Sequence, residues 1–433
     1  MLPTDSPGNA ASTVYRLDFQ NRRLRQLVQH AYKAVPYYRK LFDQNGLEPE
    51  DIRTIADLPR IPVTSKRDLQ GLPVEEVLAV GVSPRRLIVR FTNGSEGRPL
   101  RLARTVKEDR VLETLRRRAL NDYGRRAMDR RAFVALPRES DRRFHRALAG
   151  LLRAAGLHRH LSIDCRRPLA DIARDLRRFR PDIVIGYSGA LARLARSQRE
   201  ALEGLRPRFV VTGSEVLTPL MRQQIQETFR APVYQMYGAH EFCILAWECR
   251  QTGELHVCDD GLIVEVLRDG RPAREGERGE LVGTNLHSFA MPFIRYRLGD
   301  IVTQGAKVCR CGLPFSTLRG VQGRMLDYFE LPGGRAVHPY DIFTAKRLFA
   351  WVREFQIVQE RADRVVFKAV PDREPSPSQL AAFRAETEAL LGPDVQFELV
   401  LVPELTLDPS GKFRVARSLV KSEYDKIDWG SGP

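Results

Sequence analysis

Five short segments of this 433-residue chain carry groups suited to attack on a nucleotide phosphate by a carboxylate. The first is Phe91-Thr92-Asn93-Gly94-Ser95-Glu96-Gly97-Arg98-Pro99, where two glycines let the backbone turn sharply between hydroxyl and amide donors. Such a loop wraps its N–H groups around phosphate oxygens. The apolar run Arg86–Phe91 reads as the strand that delivers the chain to it. The others are Tyr237-Gly238-Ala239-His240-Glu241, Arg295-Tyr296-Arg297-Leu298-Gly299-Asp300, Gly323-Arg324-Met325-Leu326-Asp327 and Ser410-Gly411-Lys412-Phe413-Arg414. They add a carboxylate able to hold Mg²⁺, a carboxylate for ribose hydroxyls, an arginine and a late lysine. Phosphate charge would be neutralised, the nucleotide oriented and charge at the transferring group offset. Any one segment alone reads equally well as an ordinary turn. The presence of all five, in this order, points to ATP chemistry.

A second constellation concerns metal. Cys249-Arg250-Gln251-Thr252-Gly253-Glu254-Leu255-His256 sets a thiolate and an imidazole across a glycine-bearing turn, and Cys309-Arg310-Cys311-Gly312 sets two thiolates on a tight knuckle. Three cysteines and a histidine form a closed tetrahedral set suited to a structural Zn²⁺. The alternative is four unrelated residues, with Cys243 and Cys258 buried as small hydrophobes.

The chain resembles the phenylacetate–CoA ligase branch of the adenylate-forming enzymes, which includes the capsule-biosynthesis adenylyl ligases. The likeness runs from about Tyr15 to about Lys421. It is most specific in Gly279-Glu280-Leu281-Val282-Gly283-Thr284-Asn285-Leu286 and in Met291-Pro292-Phe293-Ile294 leading to Arg295–Asp300, with support from Val35–Arg39 and Leu58–Lys66. The resemblance implies a two-step reaction: a carboxylic acid and ATP give an acyl- or aryl-adenylate and pyrophosphate, then a nucleophile displaces AMP. The acceptor it implies is coenzyme A or another thiol, and an amine or hydroxyl acceptor is the alternative within the same chemistry.

Residue by residue, the resemblance puts Thr92, Asn93, Gly94, Ser95 and Gly97 around the phosphates, and Gly213, Ser214 and Glu215 along the purine pocket. Tyr237, followed by Gly238, would stack on adenine, with a core aromatic as its plainer reading. Glu241 would face Mg²⁺, Asp300 would accept the ribose hydroxyls and Arg324 would support ribose and phosphates. Lys412 would touch the acyl-adenylate oxygens, swung in by a small domain hinged at Asp327. His240 replaces the usual threonine and is either a contact to the carboxyl group or α-phosphate, or incidental. Glu96 departs from the family's loop, because a carboxylate beside triphosphate is repelled unless it meets metal or points outward. Arg98 keeps the charge of the usual lysine with a different geometry.

These residues need a scaffold of strands ending at loops. Tyr15–Phe42 reads as helical, with Leu24, Leu27, Val28 and Ala31 on one face. Thr105–Tyr123, Arg142–Ala155 and Ala190–Leu202 read as helices, and Ala132–Leu136, Ile183–Tyr187 and Phe209–Thr212 as buried strands. Alternation of this kind predicts a doubly wound α/β body with ligands at the carboxyl ends of its strands. Asp260–Ile301 changes to short strands and turns, a β subdomain. The expected organisation is a large adenylation domain over 1–325 and a small, mobile α+β lid domain over 326–433. That lid would carry strands near Phe355–Glu360, Arg364–Ala369 and Val395–Leu401 and a helix near Ser376–Leu391.

Composition bounds the rest. No apolar run approaches the ~18 residues of a membrane span, and Met1–Ala10 has neither the basic nor the apolar region of a secretory signal. The expectation is therefore a cytoplasmic protein without a membrane partner. Residues 98–199 hold 27 Lys and Arg against 11 Asp and Glu, which is the whole of the net +16. A solvated face of arginine-rich helices accounts for this, as does attraction for coenzyme A or an acidic carrier protein. Nucleic acid comes third, as a zinc-stapled basic protein on a ligase-like scaffold, because no aromatic-interleaved basic stripe supports it. Oligomeric state stays open, a homodimer included.

Overall fold

The computed structural model describes residues 10–91, 100–136, 159–324, 329–337, 342, 351–405 and 414–420. The chain divides into two compact units, Met1–Arg125 with Met236–Val321, and Arg126–Gln235 with Gln322–Pro433.

In the first unit, the leading helical stretch is two helices, Ala10–Ala34 and Pro36–Gln44. Pro36 causes the break: the residue before a proline is pushed out of the helical region, and Val35 sits at φ −116, ψ 110. The expected face is fully buried. Leu24, Leu27, Val28 and Ala31 join Tyr38, Phe42 and Ile61 in a core that also takes in Ile263, Leu286 and Ile294 from far along the chain. The β subdomain runs through the strands Leu262–Arg268, Arg271–Pro272, Arg278–Asn285 and Tyr296–Gln304, all antiparallel neighbours. Thr317–Arg324, Leu255–Val257, Ala246–Glu248 and the end of Val233–Tyr237 continue that sheet in this order. Leu87–Phe91 and Arg101–Thr105 make a separate antiparallel hairpin, Phe91 opposite Arg101. The helix Val106–Asp122 follows at once.

The second unit holds a parallel sheet in the order Val233–Tyr237, Phe209–Gly213, Ile183–Tyr187, Arg131–Ala135, His160–Asp164. Helices Leu169–Phe179, Ser188–Ser197 and Pro219–Phe229 connect its strands, as expected of a doubly wound body. The helix expected over Ala190–Leu202 starts earlier and stops at Ser197, where Gln198 leaves helical geometry at φ −124. Leu202 instead enters the core through a turn, its N–H donating to the Gln198 carbonyl at 2.9 Å. Of the C-terminal segment, Gln396–Leu401, Arg364–Pro371, Val352–Arg361 and Ala416–Ser418 form a four-stranded sheet. Helix Pro377–Leu391, capped by Ser376, crosses over between two of its parallel strands. Phe355 stacks on Phe367, which meets Phe383 edge-on, so an aromatic cluster makes this core. The same sheet is tied to helix Ser188–Ser197 by an ion pair, Arg196 to Glu354 at 2.7 Å with Glu354 7% exposed. Gln224 adds a hydrogen bond to the Arg353 carbonyl at 2.9 Å.

Candidate active site and metal centre

The glycine-rich segment itself, with Thr92, Asn93, Gly94, Ser95 and Gly97, lies outside the described residues. Its supports do not. Phe91 pairs with Arg101, so the two strands flanking the segment in sequence form one antiparallel hairpin. The hairpin's exit is fixed by a capping box. Thr105 accepts the Glu108 N–H at 3.2 Å, and Glu108 Oε2 accepts the Thr105 N–H at 2.7 Å. The other oxygen of Glu108 accepts the N–H groups of Phe289 and Ala290 at 2.6 and 2.8 Å. Arg90 donates to both oxygens of Asp109 at 2.9 and 3.1 Å.

Strand Val233–Tyr237 ends where the second segment begins. A side chain at Gly238 would place its Cβ 2.3 Å from the Cys243 carbonyl oxygen, so only glycine fits this return of the loop. The loop closes through the Cys243 N–H to the Ala239 carbonyl at 2.7 Å and the Leu245 N–H to the Tyr237 carbonyl at 2.9 Å. Tyr237 Oη donates to Asp300 Oδ2 at 2.5 Å. Tyr296 Oη donates to Glu241 Oε1 at 3.2 Å, and Asn285 Nδ2 holds the Glu241 carbonyl at 3.0 Å. Tyr237 and Asp300 are thus brought together, and Glu241 is held separately by Tyr296 and Asn285; both carboxylates are 9% exposed, while His240 is exposed.

The most specific stretch of the sequence proves largely architectural. Arg295 is buried, holds Glu265 through two bonds at 2.9 and 3.0 Å, and donates to the carbonyls of Pro59 and Ile61. Burial raises the Glu265 carboxyl from its ordinary value, opposed by that arginine. Thr64 bridges the same strand, its N–H to the Arg295 carbonyl at 2.9 Å and its own carbonyl to the Arg297 N–H at 2.8 Å. The early Leu58–Lys66 segment therefore braces the backbone that presents Asp300. Phe242 presses on Gly283, where a Cβ would come within 2.7 Å of its ring.

Gly213, Ser214 and Glu215 belong to the second unit, at the carboxyl end of strand Phe209–Gly213. Ser214 has φ +66, and Glu215 Oε2 accepts the Gly189 N–H at 2.6 Å. Arg324 ends the strand Thr317–Arg324. Asp327 and Lys412 lie outside the described residues. In the basic stretch, Arg166, Arg167 and Arg174 each pair with an aspartate of their own segment. Arg104, buried in the strand Arg101–Thr105, has no sequence signal beyond being an arginine soon after the glycine-rich segment.

Cys249, His256, Cys309 and Cys311 do come together, their ligand atoms all within 4.8 Å of one another. The hairpin Ala246–Glu248/Leu255–Val257 supplies two, closed by the Cys249 N–H to the Glu254 carbonyl at 2.7 Å. The knuckle supplies the others, with Gly312 at φ +91. Sγ of Cys249 and Cys309 are 3.8 Å apart, and Sγ of Cys311 is 3.3 Å from His256 Nε2. Two sulfurs on one tetrahedral ion with bonds of about 2.3 Å would be about 3.8 Å apart. Burial lowers His256 to about 4, which keeps its imidazole neutral, and pushes Cys311 up to about 12. For Cys249, burial acts upward, but hydrogen bonds from Thr252 and Gln251 outweigh it and the net direction is down. Trp247 and Phe315 wall the cluster, with the Arg118 guanidinium over both rings.

Among the described residues no helix is long and apolar enough to cross a membrane. Residues 331–418 match the family described as the CapK C-terminal domain. The phenylacetate–coenzyme A ligase of Thermus thermophilus is 28% identical over 333 residues, covering 72% of this chain and 71% of the relative. Protein CapK of Staphylococcus aureus is 23% identical over 427 residues, covering 93% of this chain and 89% of its own. A solved structure of 2-hydroxyisobutyryl-CoA ligase, in the postadenylation state with 2-HIB-AMP, matches with a TM-score of 0.78 at 23% identity, over 98% of this chain and 94% of that one. At that identity the likeness is one of fold. Taken with the curated relatives, it makes the chain similar in sequence and in fold to the phenylacetate–CoA ligase-like and CapK branch of the adenylate-forming enzymes, and these likenesses indicate an AMP-forming ligase.

Proposed function

We propose that the protein activates a small carboxylic acid with ATP and passes the acyl group to the thiol of coenzyme A. The observation that carries this reading is the Tyr237–Asp300 hydrogen bond, in a chain whose buried Glu241 is held by Tyr296. In the first step an oxygen of the acid attacks the α-phosphorus, the bond to the bridging oxygen breaks, and pyrophosphate leaves with the electron pair. In the second, a thiolate sulfur attacks the acyl carbon and AMP departs. Asp300 would accept the ribose hydroxyls on its two carboxylate oxygens. Glu241 would hold Mg²⁺, which supplies charge neutralisation at the phosphates when bound. Lys412 would reach the acyl-adenylate oxygens. The Cys249, His256, Cys309 and Cys311 set would hold one structural Zn²⁺; four protein ligands leave no open position for catalysis.

A pyrophosphate-release screen over aryl and aliphatic acids tests the reading, run with and without coenzyme A. Expected is acid-dependent pyrophosphate, followed by a thioester once coenzyme A is added. Failure to bind ATP at millimolar concentration refutes it. Turnover only with amines or hydroxylated acceptors would instead move the second step to that acceptor class.

A further inference from the structure

Arg104 stands in the strand Arg101–Thr105, the limb of the hairpin that leads away from the glycine-rich segment. It is 4% exposed. Its terminal NH2 donates to the main-chain carbonyl of His240, the residue before Glu241. Its NH1 lies 3.9 Å from Asp109 Oδ1, too far for a hydrogen bond, and that aspartate already accepts from Arg90 at 2.9 and 3.1 Å. Its buried Nε finds no acceptor among the described residues. Two guanidinium groups therefore share Asp109, and among the described residues the hydrogen bond of Arg104 goes to a neutral carbonyl. Burial lowers Arg104 from its ordinary value, with Cys243, Asp109 and Glu241 acting against it. A buried charge is costly to desolvate even with anions nearby, and an apolar side chain would pack a hairpin at less expense. The cation is explicable if its position serves an anionic ligand.

We propose that Arg104 is a positioning residue for the adenylation step: it fixes the His240–Glu241 main chain at a set distance from the strand leaving the glycine-rich loop, so that metal carried by Glu241 meets the phosphates of ATP. The inference rests on the ligase reading above and adds a residue to it. It is specific to the fork of an arginine, which can keep NH2 on the carbonyl while NH1 faces Asp109.

The test uses the full-length protein and MgATP with an acid found active in the pyrophosphate screen. R104M is expected to raise the Mg²⁺ concentration for half-maximal pyrophosphate release and to lower kcat/KM for MgATP, by about tenfold to a hundredfold, the effect of one hydrogen bond from a charged group. The KM for the acid should stay near the wild-type value. R104K, which keeps the charge but not the fork, should shift the Mg²⁺ midpoint in the same direction by less, and it carries the test alone if R104M does not fold. Thermal unfolding separates the two roles. A variant that melts earlier yet keeps the wild-type Mg²⁺ midpoint and kcat/KM shows a structural arginine only and overturns the proposal. A wild-type protein that releases no pyrophosphate would refute the ligase reading itself, a different result from an unaltered variant.

Discussion

Replacing Asp300 by Asn gives the sharpest test of the nucleotide site, because shape is kept and only charge and one acceptor change. In the structure Asp300 is 9% exposed and Oδ2 accepts the Tyr237 hydroxyl at 2.5 Å. A carboxylate offers about four lone-pair sites, enough in number for a tyrosine hydroxyl and two ribose hydroxyls, one on each oxygen. Asparagine keeps one oxygen, which Tyr237 retains, and presents an NH₂ where the other ribose hydroxyl would donate. One charge-assisted bond is lost, about 1.5–3 kcal/mol, and another falls from charge-assisted to neutral strength, about 1 kcal/mol. The sum, about 2.5–4 kcal/mol, predicts nucleotide binding weaker by about 60- to 1,000-fold. Titration calorimetry with ATP or AMP on the folded variant measures this directly, and Tyr237→Phe should show a smaller loss because both carboxylate oxygens remain. Wild-type affinity in Asp300→Asn would mean that the ribose does not sit on this carboxylate, and the assignment of the constellation would fall with it.

Protein purified without chelator should contain one zinc per chain by elemental analysis, and Cys309→Ser should lose it; metal-free wild-type protein would refute the centre. In chelated protein, folded His256 is lowered to about 4 while an unfolded histidine titrates near 6.5, so between those values only the unfolded chain gains the proton. Stability should therefore fall as pH drops from about 6.5 to 4, by up to about 3 kcal/mol, and denaturant melts of His256→Asn should lack that component. Glu354→Ala leaves Arg196 without its carboxylate in a mostly buried setting, and should cost about 2–4 kcal/mol in urea unfolding; an unchanged midpoint would show the pair to be idle. Lys412→Ala should abolish adenylation yet spare transfer from a supplied acyl-adenylate, and equal loss of both half-reactions in a folded variant would deny the lysine a step-specific role.

What could be read in advance was what local chemistry dictates. Buried runs such as Ile183–Tyr187 and Phe209–Thr212 became strands, the first with the same bounds. Ser376 capped its helix as a serine before Pro377 should. The Cys/His quartet was legible because spacing within each pair is local, although the pairs themselves lie tens of residues apart. What escaped were partners chosen by the fold. Arg295 and Asp300 share one motif, yet Arg295 spends its guanidinium on Glu265, Pro59 and Ile61. Arg104 reaches His240 across 136 positions, and no periodicity announces such a bond. The Pro36 break was visible in the residue itself, but the strength of the apolar stripe on either side of it masked the boundary.

The first unit is assembled from two stretches of sequence with the whole of 126–235 between them, and this sets a problem for the chain as it leaves the ribosome. Leu24, Leu27, Val28 and Phe42 find their full cover only when Ile263, Leu286 and Ile294 have been made. Phe42 and Ile294 are 252 positions apart. At about 5–20 residues per second the early helices wait roughly 13 to 50 seconds for the full cover of their apolar stripe. During that interval an arginine-rich stretch is also emerging. Nascent chains of this protein should therefore engage holding chaperones until residue 294 clears the exit tunnel, and slowing translation between 126 and 235 should lower its soluble yield.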